Sequence, residues 1–338
     1  MTKKYNIAVV GATGAVGGEF FSILEERKFP IGQLRPLASE DSFGKSVPWG
    51  DELKSVEVLS RDSFKDIDIA FFSAGGEVSK EFVPIAAKAG ALVIDNTSAF
   101  RMEPDVPLVV PEVNPQAIAE SRKRNIIANP NCSTIQMVVV LHALAKKAPI
   151  KRVVVSTYQS VSGAGIAAME ELSKQTVSLF SNQEIAPSVF PHRIAFNCLP
   201  QIDCFAEDDY TKEEQKMMQE TKKIMGSDIP VTATCVRVPV FYGHSESVNV
   251  EFASEVTPSE AKDLLSKTAG VELVDDVAQL KYPLAVNAQG EDPVFVGRIR
   301  RDTTVPHGLN LWIVADNIRK GAALNAVQIA EHWINGYR

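Results

Sequence analysis

Cysteine is scarce. The chain has four thiols in 338 residues, Cys132, Cys198, Cys204 and Cys235, with no CxxC pair, which leaves neither a disulfide framework nor a zinc spacing, so no metal site is predicted. Long apolar runs are missing too: none approaches the ~18 residues that span a bilayer. The opening Met1-Thr2-Lys3-Lys4-Tyr5 leads into a strand pattern, not into the apolar stretch of a signal peptide. A cytoplasmic protein with no membrane contact is expected. Basic charge is in deficit, 35 Lys and Arg against 42 Asp and Glu for a net charge of −7. Nucleic-acid binding rests on neutralising phosphates and has no basic cluster to draw on here, so small-molecule ligands are expected. What is present is ordinary for a globular protein, 45% hydrophobic and 23% charged residues, with length for two domains at roughly 100–200 residues each.

The first part alternates strand and helix. Ile7 to Val10 is a β-branched run, glycines follow, and Phe20, Phe21 and Leu24 recur at helical spacing as far as Arg27. Leu34 to Ala38, Ile69 to Ser73 and Leu92 to Asp95 read as further buried strands, with a helix from Ser79 to Ala89. This alternation predicts an α/β, Rossmann-type dinucleotide-binding domain built on a parallel sheet. Near Ile126 to Asn129 the pattern changes. Asn129-Pro130-Asn131 signals a turn, and Ser133-Thr134-Ile135-Gln136 reads as a capping box for a helix to Lys147. Beyond Arg152 the strands lengthen and alternate: Val153 to Gln159, Val231 to Val238, Ser247 to Ala253 and Leu309 to Ala315. Helices are expected over Ala164 to Phe180, Thr211 to Met225 and Ile318 to Ile334. This mixture predicts an α+β catalytic and dimerisation domain. The expected division is residues 1–131 with the C-terminal helix 318–338, and residues 132–317.

Gly11-Ala12-Thr13-Gly14-Ala15-Val16-Gly17 follows a strand and opens a helix, the setting in which glycines admit a dinucleotide. Gly11 would make the tight turn, Gly14 let the backbone approach a pyrophosphate, and Gly17 let the helix pack closely, with the anion at the helix N-terminus. The alternative is a turn that merely needs glycines. About 20 residues on, where the ribose is read, the chain has Ser39-Glu40-Asp41-Ser42. A carboxylate there accepts from a ribose 2′-hydroxyl and repels a 2′-phosphate, which points to NAD.

Cys132 lies between a turn and a helix N-terminus, where unpaired amides and the helix dipole favour a thiolate. Its backbone amide, with that of Asn131 and the Asn131 side chain, suits an oxyanion or a phosphate. Cys198, Cys204 and Cys235 read as small buried apolar residues. Of five histidines, His142, His192, His307 and His332 have bland settings. His244 instead follows Pro239 and Gly243 in Arg237-Val238-Pro239-Val240-Phe241-Tyr242-Gly243-His244. There a guanidinium suits a carboxylate and an imidazole suits proton transfer; a solvated arginine with a structural histidine is the other reading. Arg101, beyond the carboxyl end of a strand, is a candidate anion clamp. Glu213 and Lys216, three apart on a helix, read by default as an exposed ion pair.

Together, Gly11 to Gly17, Asn129-Pro130-Asn131-Cys132-Ser133-Thr134, Tyr158 to Gly165, Arg237 to His244 and Asp316 to Asn325 resemble the aspartate-semialdehyde dehydrogenase family, in order and over essentially the whole chain. Most specific is Asn-Cys-Ser-Thr followed, 27 residues after Cys132, by Gln159. The resemblance implies reversible, NADP-dependent reductive dephosphorylation of L-aspartyl-4-phosphate to the semialdehyde (EC 1.2.1.11), feeding lysine, diaminopimelate, methionine, threonine and isoleucine synthesis. It also implies a homodimer joined through the second domain. By the same resemblance Cys132 is the nucleophile, His244 the acid/base and Gln159 an orienting group. Arg237 would hold the substrate carboxylate, Glu213 would face its amine, and Arg101, Asn131 and Lys216 would bind phosphate. Cofactor contacts would come from Gly11, Thr13, Gly14, Ala15, Val16, Ser162, Gly163 and Asn317. Relatives that prefer NADP carry a basic residue before the serine after the second strand. Here Glu40-Asp41 stand there, leaving Ser39, Asp41 and Ser42 as the residues nearest the 2′ position and keeping NAD or dual use open.

Two other readings compete. N-acetyl-glutamyl-phosphate reductase shares the cysteine and histidine logic, but its substrate lacks the free ammonium that Glu213 would meet. A catalytically silent dimeric paralogue would be under no constraint to keep Cys132, Gln159, Arg237 and His244 together.

Overall fold

The computed structural model describes residues 3–337. They divide into two compact units: the chain up to Asn131 together with the segment from Ala322 onward, and Cys132–Gly321.

In the first unit, β1 (Tyr5–Val10), β2 (Ile31–Ala38), β5 (Glu57–Val58), β6 (Ile69–Phe72), β7 (Leu92–Asp95) and β8 (Ile126–Ala128) form one parallel sheet, ordered β5-β2-β1-β6-β7-β8. β3 (Ser46–Trp49) and β4 (Glu52–Ser55) make a separate hairpin. Strands β6, β7 and β8 are buried along their whole length. They read as continuous apolar runs because helices cover both faces of a parallel sheet. Helix α1 (Ala15–Glu26) inserts Phe20 against Phe71 at 4.7 Å, and α2 (Gly76–Lys88) packs on β7. The C-terminal helix Leu324–His332 returns to this core through Leu324, Val327 and Ile329. The expected Ile318-to-Ile334 helix is interrupted: wide π-type turns at Arg319–Ala323 and Trp333–Tyr337 flank it.

In the second unit, β9 (Ile150–Gln159), β10 (Val231–Arg237), β11 (His244–Phe252), β12 (Val271–Leu273), β13 (Val294–Asp302) and β14 (Gly308–Ala315) form a mixed sheet ordered β10-β9-β11-β14-β13-β12. β9, β11, β14 and β13 run antiparallel to one another, with a parallel strand at each edge. Helices α3 (Cys132–Ala145), α5 (Lys212–Met225) and α6 (Pro258–Leu265) cover one face. The other is open, and Tyr158, 38% exposed, meets Trp312 there at 5.4 Å. This one-sided burial produces the alternation along β9 and β11. Helix α4 (Ile166–Phe180) starts two residues later than expected, because Gly165 takes φ +91° and blocks helix continuity from the short 3-10 turn before it.

Candidate active site

Strand order reverses at β1, flanked by β2 and β6, and ligands of open α/β sheets bind at such a point beyond the carboxyl ends of the strands. A cavity of about 500 Å³ lies there, lined by Gly11, Thr13, Gly14, Ser39, Glu40 and Ser73 among others. Gly11 has φ +86°, and a Cβ on it would stand 2.5 Å from the Ser73 carbonyl oxygen. A Cβ on Gly17 would collide with the Gly11 carbonyl. No side chain caps the N-terminus of α1 at Gly14, so its first amides are available to an anion. These features fit a dinucleotide. Ser42 is buried with its hydroxyl 3.1 Å from that of Thr13, and Asp41 is exposed, outside the cavity lining. Ala15 and Val16 open α1 half-buried, with Val16 packed on the core.

At the end of β7, buried Asp95 accepts from the Ser79 hydroxyl at 2.9 Å and from Thr97 through both its backbone N–H and its hydroxyl. Burial pushes the Asp95 carboxyl up, against those hydrogen bonds. Arg101 is buried, and its guanidinium donates to the carbonyls of Asn96 and Asn129 at 2.7 and 2.9 Å, tying the loops after β7 and β8 together. Asn129 donates to Asn96 Oδ1, and Asn325 donates to Asn129 Oδ1, both at 2.7 Å. This amide ladder fixes the entry to Asn131, which is itself buried.

Cys132 opens α3 in the second unit, with Gly321 of the π-type turn close by: a Cβ on Gly321 would stand 2.7 Å from that of Cys132. The expected capping box does not form. Gln136 Nε2 donates to the His244 carbonyl at 3.3 Å, and its Oε1 accepts no hydrogen bond, so tertiary pairing with β11 has taken the side chain that local chemistry would use. His244 is fully buried. Its Nδ1 accepts from the Ser160 backbone N–H at 3.1 Å. An amide N–H only donates, so the neutral ring carries its proton on Nε2. Burial, and then the charge of Arg237, push His244 down to about 3, with Glu213 opposing.

Gln159, at the end of β9, donates to Glu213 Oε1 at 3.1 Å, and its Nε2 lies 3.5 Å from His244 Nε2. Glu213 comes from the first turn of α5, which a capping box between Thr211 and Glu214 starts. The Glu213–Lys216 pair, at 3.2 Å, is not exposed as its spacing suggested. The Glu213 side chain is 7% exposed, and Lys216 also reaches Asp203 at 2.9 Å, because α5 lays this face on the sheet. Arg237, buried at the end of β10, donates to the Ser160 carbonyl at 2.7 Å. Burial pulls its guanidinium below its usual range, with Glu213 and Cys132 opposing. Gly163 closes over both groups: a Cβ there would lie 3.1 Å from an Arg237 nitrogen and 3.3 Å from the His244 ring.

Ser162 and Asn317 belong to this cluster. Asn317 Oδ1 accepts from the Ser160 and Ser162 hydroxyls and from Gly243 N–H, at 3.0 to 3.2 Å. Sequence reasoning passed over Ser160 and Gly321 as site residues, although both stood inside quoted motifs. Of the remaining cysteines, Cys235 is buried, and burial pushes its thiol up. Cys198 and Cys204 are exposed, contrary to expectation, because in the irregular chain of residues 181–210 the buried positions are taken by Ile194, Ala195, Leu199 and Ile202. Among the described residues, no group of three or more His, Cys, Asp or Glu is placed to hold a metal, and no helix is long and apolar enough to cross a membrane.

Residues 6–121 match a family described as "Semialdehyde dehydrogenase, NAD binding domain", and residues 141–320 match "Semialdehyde dehydrogenase, dimerisation domain". The chain is 57% identical over 330 residues to the aspartate-semialdehyde dehydrogenase of Aquifex aeolicus (strain VF5), covering 97% of each chain. It is 54% identical to that of Legionella pneumophila, covering 98% of this chain and 96% of the relative. A crystal structure of aspartate semialdehyde dehydrogenase II from Vibrio cholerae, complexed with ASA, superimposes with a TM-score of 0.96 at 50% identity over the full length of both chains. The Candida albicans enzyme with NADP does so at 0.74 and 26% identity, covering 98% of this chain and 99% of that one.

Proposed function

Because the chain belongs to the aspartate-semialdehyde dehydrogenase family, we propose that Cys132 is acylated at sulfur by the C4 carbonyl of L-aspartyl-4-phosphate while His244, Gln159, Arg237 and Glu213 hold the reacting group and its hydrogen bonds. The reaction is the nicotinamide-dependent reductive dephosphorylation of that acyl phosphate to L-aspartate 4-semialdehyde, or its reverse. The observation that carries the assignment of roles is the buried Arg237 guanidinium beside the Glu213 carboxylate. This is a charge pair of the kind that an amino acid's α-carboxylate and α-ammonium complement in turn. An acetylated amine has no charge for Glu213, which disfavours N-acetyl-glutamyl phosphate.

The Cys132 thiolate attacks the C4 carbonyl, the C–S bond forms, and phosphate departs with the electrons of the C–O bond. This leaves a thioester and splits one hard displacement into two easier steps. A nicotinamide cofactor held by the glycine turn of the first unit would supply the hydride or accept it. His244 Nε2–H faces the site and donates a hydrogen bond to the oxyanion that develops at C4; as that oxyanion collapses the C=O re-forms, the C–S bond breaks, the thiolate returns and the aldehyde is freed. Arg101, Asn131 and Lys216 supply the positive and amide groups for phosphate. For the cofactor we assign NADP, its 2′-phosphate taken by the Ser39 and Ser42 hydroxyls. The preference is modest, because Glu40 lines the same cavity and repels a dianion. The homodimer is assigned to the open face of the second sheet around Tyr158 and Trp312, in the segment that matches the family's dimerisation domain.

The test is phosphate-dependent oxidation of aspartate semialdehyde with NADP and NAD in parallel, beside N-acetyl-glutamate semialdehyde. Turnover of the unacetylated aldehyde with NADP favoured is expected. Exclusive use of the acetylated substrate would overturn the substrate assignment, and a strong NAD preference the 2′-phosphate assignment.

A further inference from the structure

Glu246 has no part in the chemistry above, yet it is fully buried two residues past His244, on the same face of β11. Its cross-strand neighbours, Thr157 of β9 and Ile313 of β14, carry no charge. Neither carboxyl oxygen receives a hydrogen bond, and burial pushes the group well above the usual carboxylate range. The polar side chain it meets is Gln136, whose amide N–H is turned toward the carboxyl. With Gln136 Nε2 also donating to the His244 carbonyl, the Gln136 oxygen is buried and without a donor. Reversing the amide would set its oxygen against that carbonyl. Adjacent buried acceptors that both lack a donor are rare in folded proteins, and a single proton on Glu246 accounts for both.

We propose that Glu246 and Gln136 are a positioning pair. A neutral Glu246 donates to Gln136 Oε1, Gln136 Nε2 donates to the His244 carbonyl, and the bridge holds the first turn of α3, which begins at Cys132, against the start of β11, which begins at His244. Cys132 and Gln136 are four residues apart, one turn along the same side of the helix, so a shift of Gln136 displaces the sulfur. The ionisable groups nearby leave Glu246 uncharged. Cys235 of β10 is a thiol whose titration burial has pushed up, His244 is a neutral imidazole, and no cation acts on the carboxyl. The inference rests on the reading of Cys132 and His244 as the reacting pair, but its first test does not.

Infrared difference spectroscopy of the intact protein against Glu246→Gln, at neutral pH, is expected to show the C=O stretch of a protonated carboxyl; carboxylate bands in its place would overturn the proposal. Failure of the activity assay would leave this readout intact, so the two readings fail separately. In kinetics, Glu246→Gln, whose amide still donates to Gln136, is expected to keep kcat within about twofold. Glu246→Leu and Gln136→Leu are each expected to lower kcat roughly 10-fold to 100-fold, the range of a misplacement near 1 Å, with KM nearly unchanged and the double variant no worse than either. If Glu246→Gln falls as far as Glu246→Leu, or the two leucine losses multiply, the bridge does not exist. Should the leucine variants fail to fold, Glu246→Gln and the spectrum still decide.

Discussion

At the scale of single residues, the site depends on groups whose ordinary solution chemistry burial has altered. Cys132→Ala removes the sulfur proposed to carry the acyl group, so a loss of at least about 10⁴-fold in kcat is expected. Mass spectrometry of the wild-type protein mixed with the acyl phosphate is expected to show an adduct on Cys132, and its absence would end the covalent scheme. His244→Asn removes the Nε2–H proposed to hydrogen-bond the oxyanion and is expected to cost on the order of 10² to 10⁴ in turnover. The same histidine sets a stability signature. Its folded pKa lies near 3 against 6.5 unfolded, so between those values the unfolded chain binds the extra proton. Stability therefore falls as pH drops below 6.5, by at most about 1.4 kcal/mol per pH unit. In thermal melts from pH 7 to pH 5, His244→Asn is expected to lose less Tm than the wild type, and equal losses would place the group's titration elsewhere.

At the scale of elements, what matters is how closely segments approach. Gly321→Ala would put a Cβ 2.7 Å from that of Cys132, and neither atom is the far end of a flexible chain. The expected outcome is a fall in kcat, a slower alkylation of Cys132 and a lowered Tm; unchanged kinetics and Tm would mean that the turn yields freely. The Asn96–Asn129–Asn325 ladder is the structural counterpart in the first unit. Asn325→Ala removes donors to Asn129 Oδ1 and to the Val109 carbonyl, and leaving buried acceptors unpaired is expected to cost about 1 to 3 kcal/mol, read by denaturant unfolding. Much of this was legible in advance. The βα alternation, the glycine turn and the thiol at a helix start followed from periodicity and local backbone chemistry. The error at Gln136 is of another kind: a Ser-x-x-Gln spacing satisfies the local capping rule, and only the packing of β11 against α3 shows that the amide goes to the His244 carbonyl instead.

At the scale of the whole molecule, the proposed dimer is the one assigned to the open sheet face of the second unit. Trp312→Arg puts a charge where Tyr158 and Trp312 meet, and sedimentation is expected to show a weaker dimer at micromolar concentration. A dimer of unchanged strength would move the interface to another surface.

The order of elements and the identity of the chemical groups were written in the sequence, because hydrophobic period, glycine conformation and helix-terminal electrostatics act over a few residues. Protonation and exposure were not. The neutral His244, the depressed Arg237, the buried Glu213 and the undonated Glu246 arise from α5, β10 and β11, segments far apart in the chain that converge on one dry interior. Desolvation there depends on everything packed around a group, and only the tertiary structure decides that.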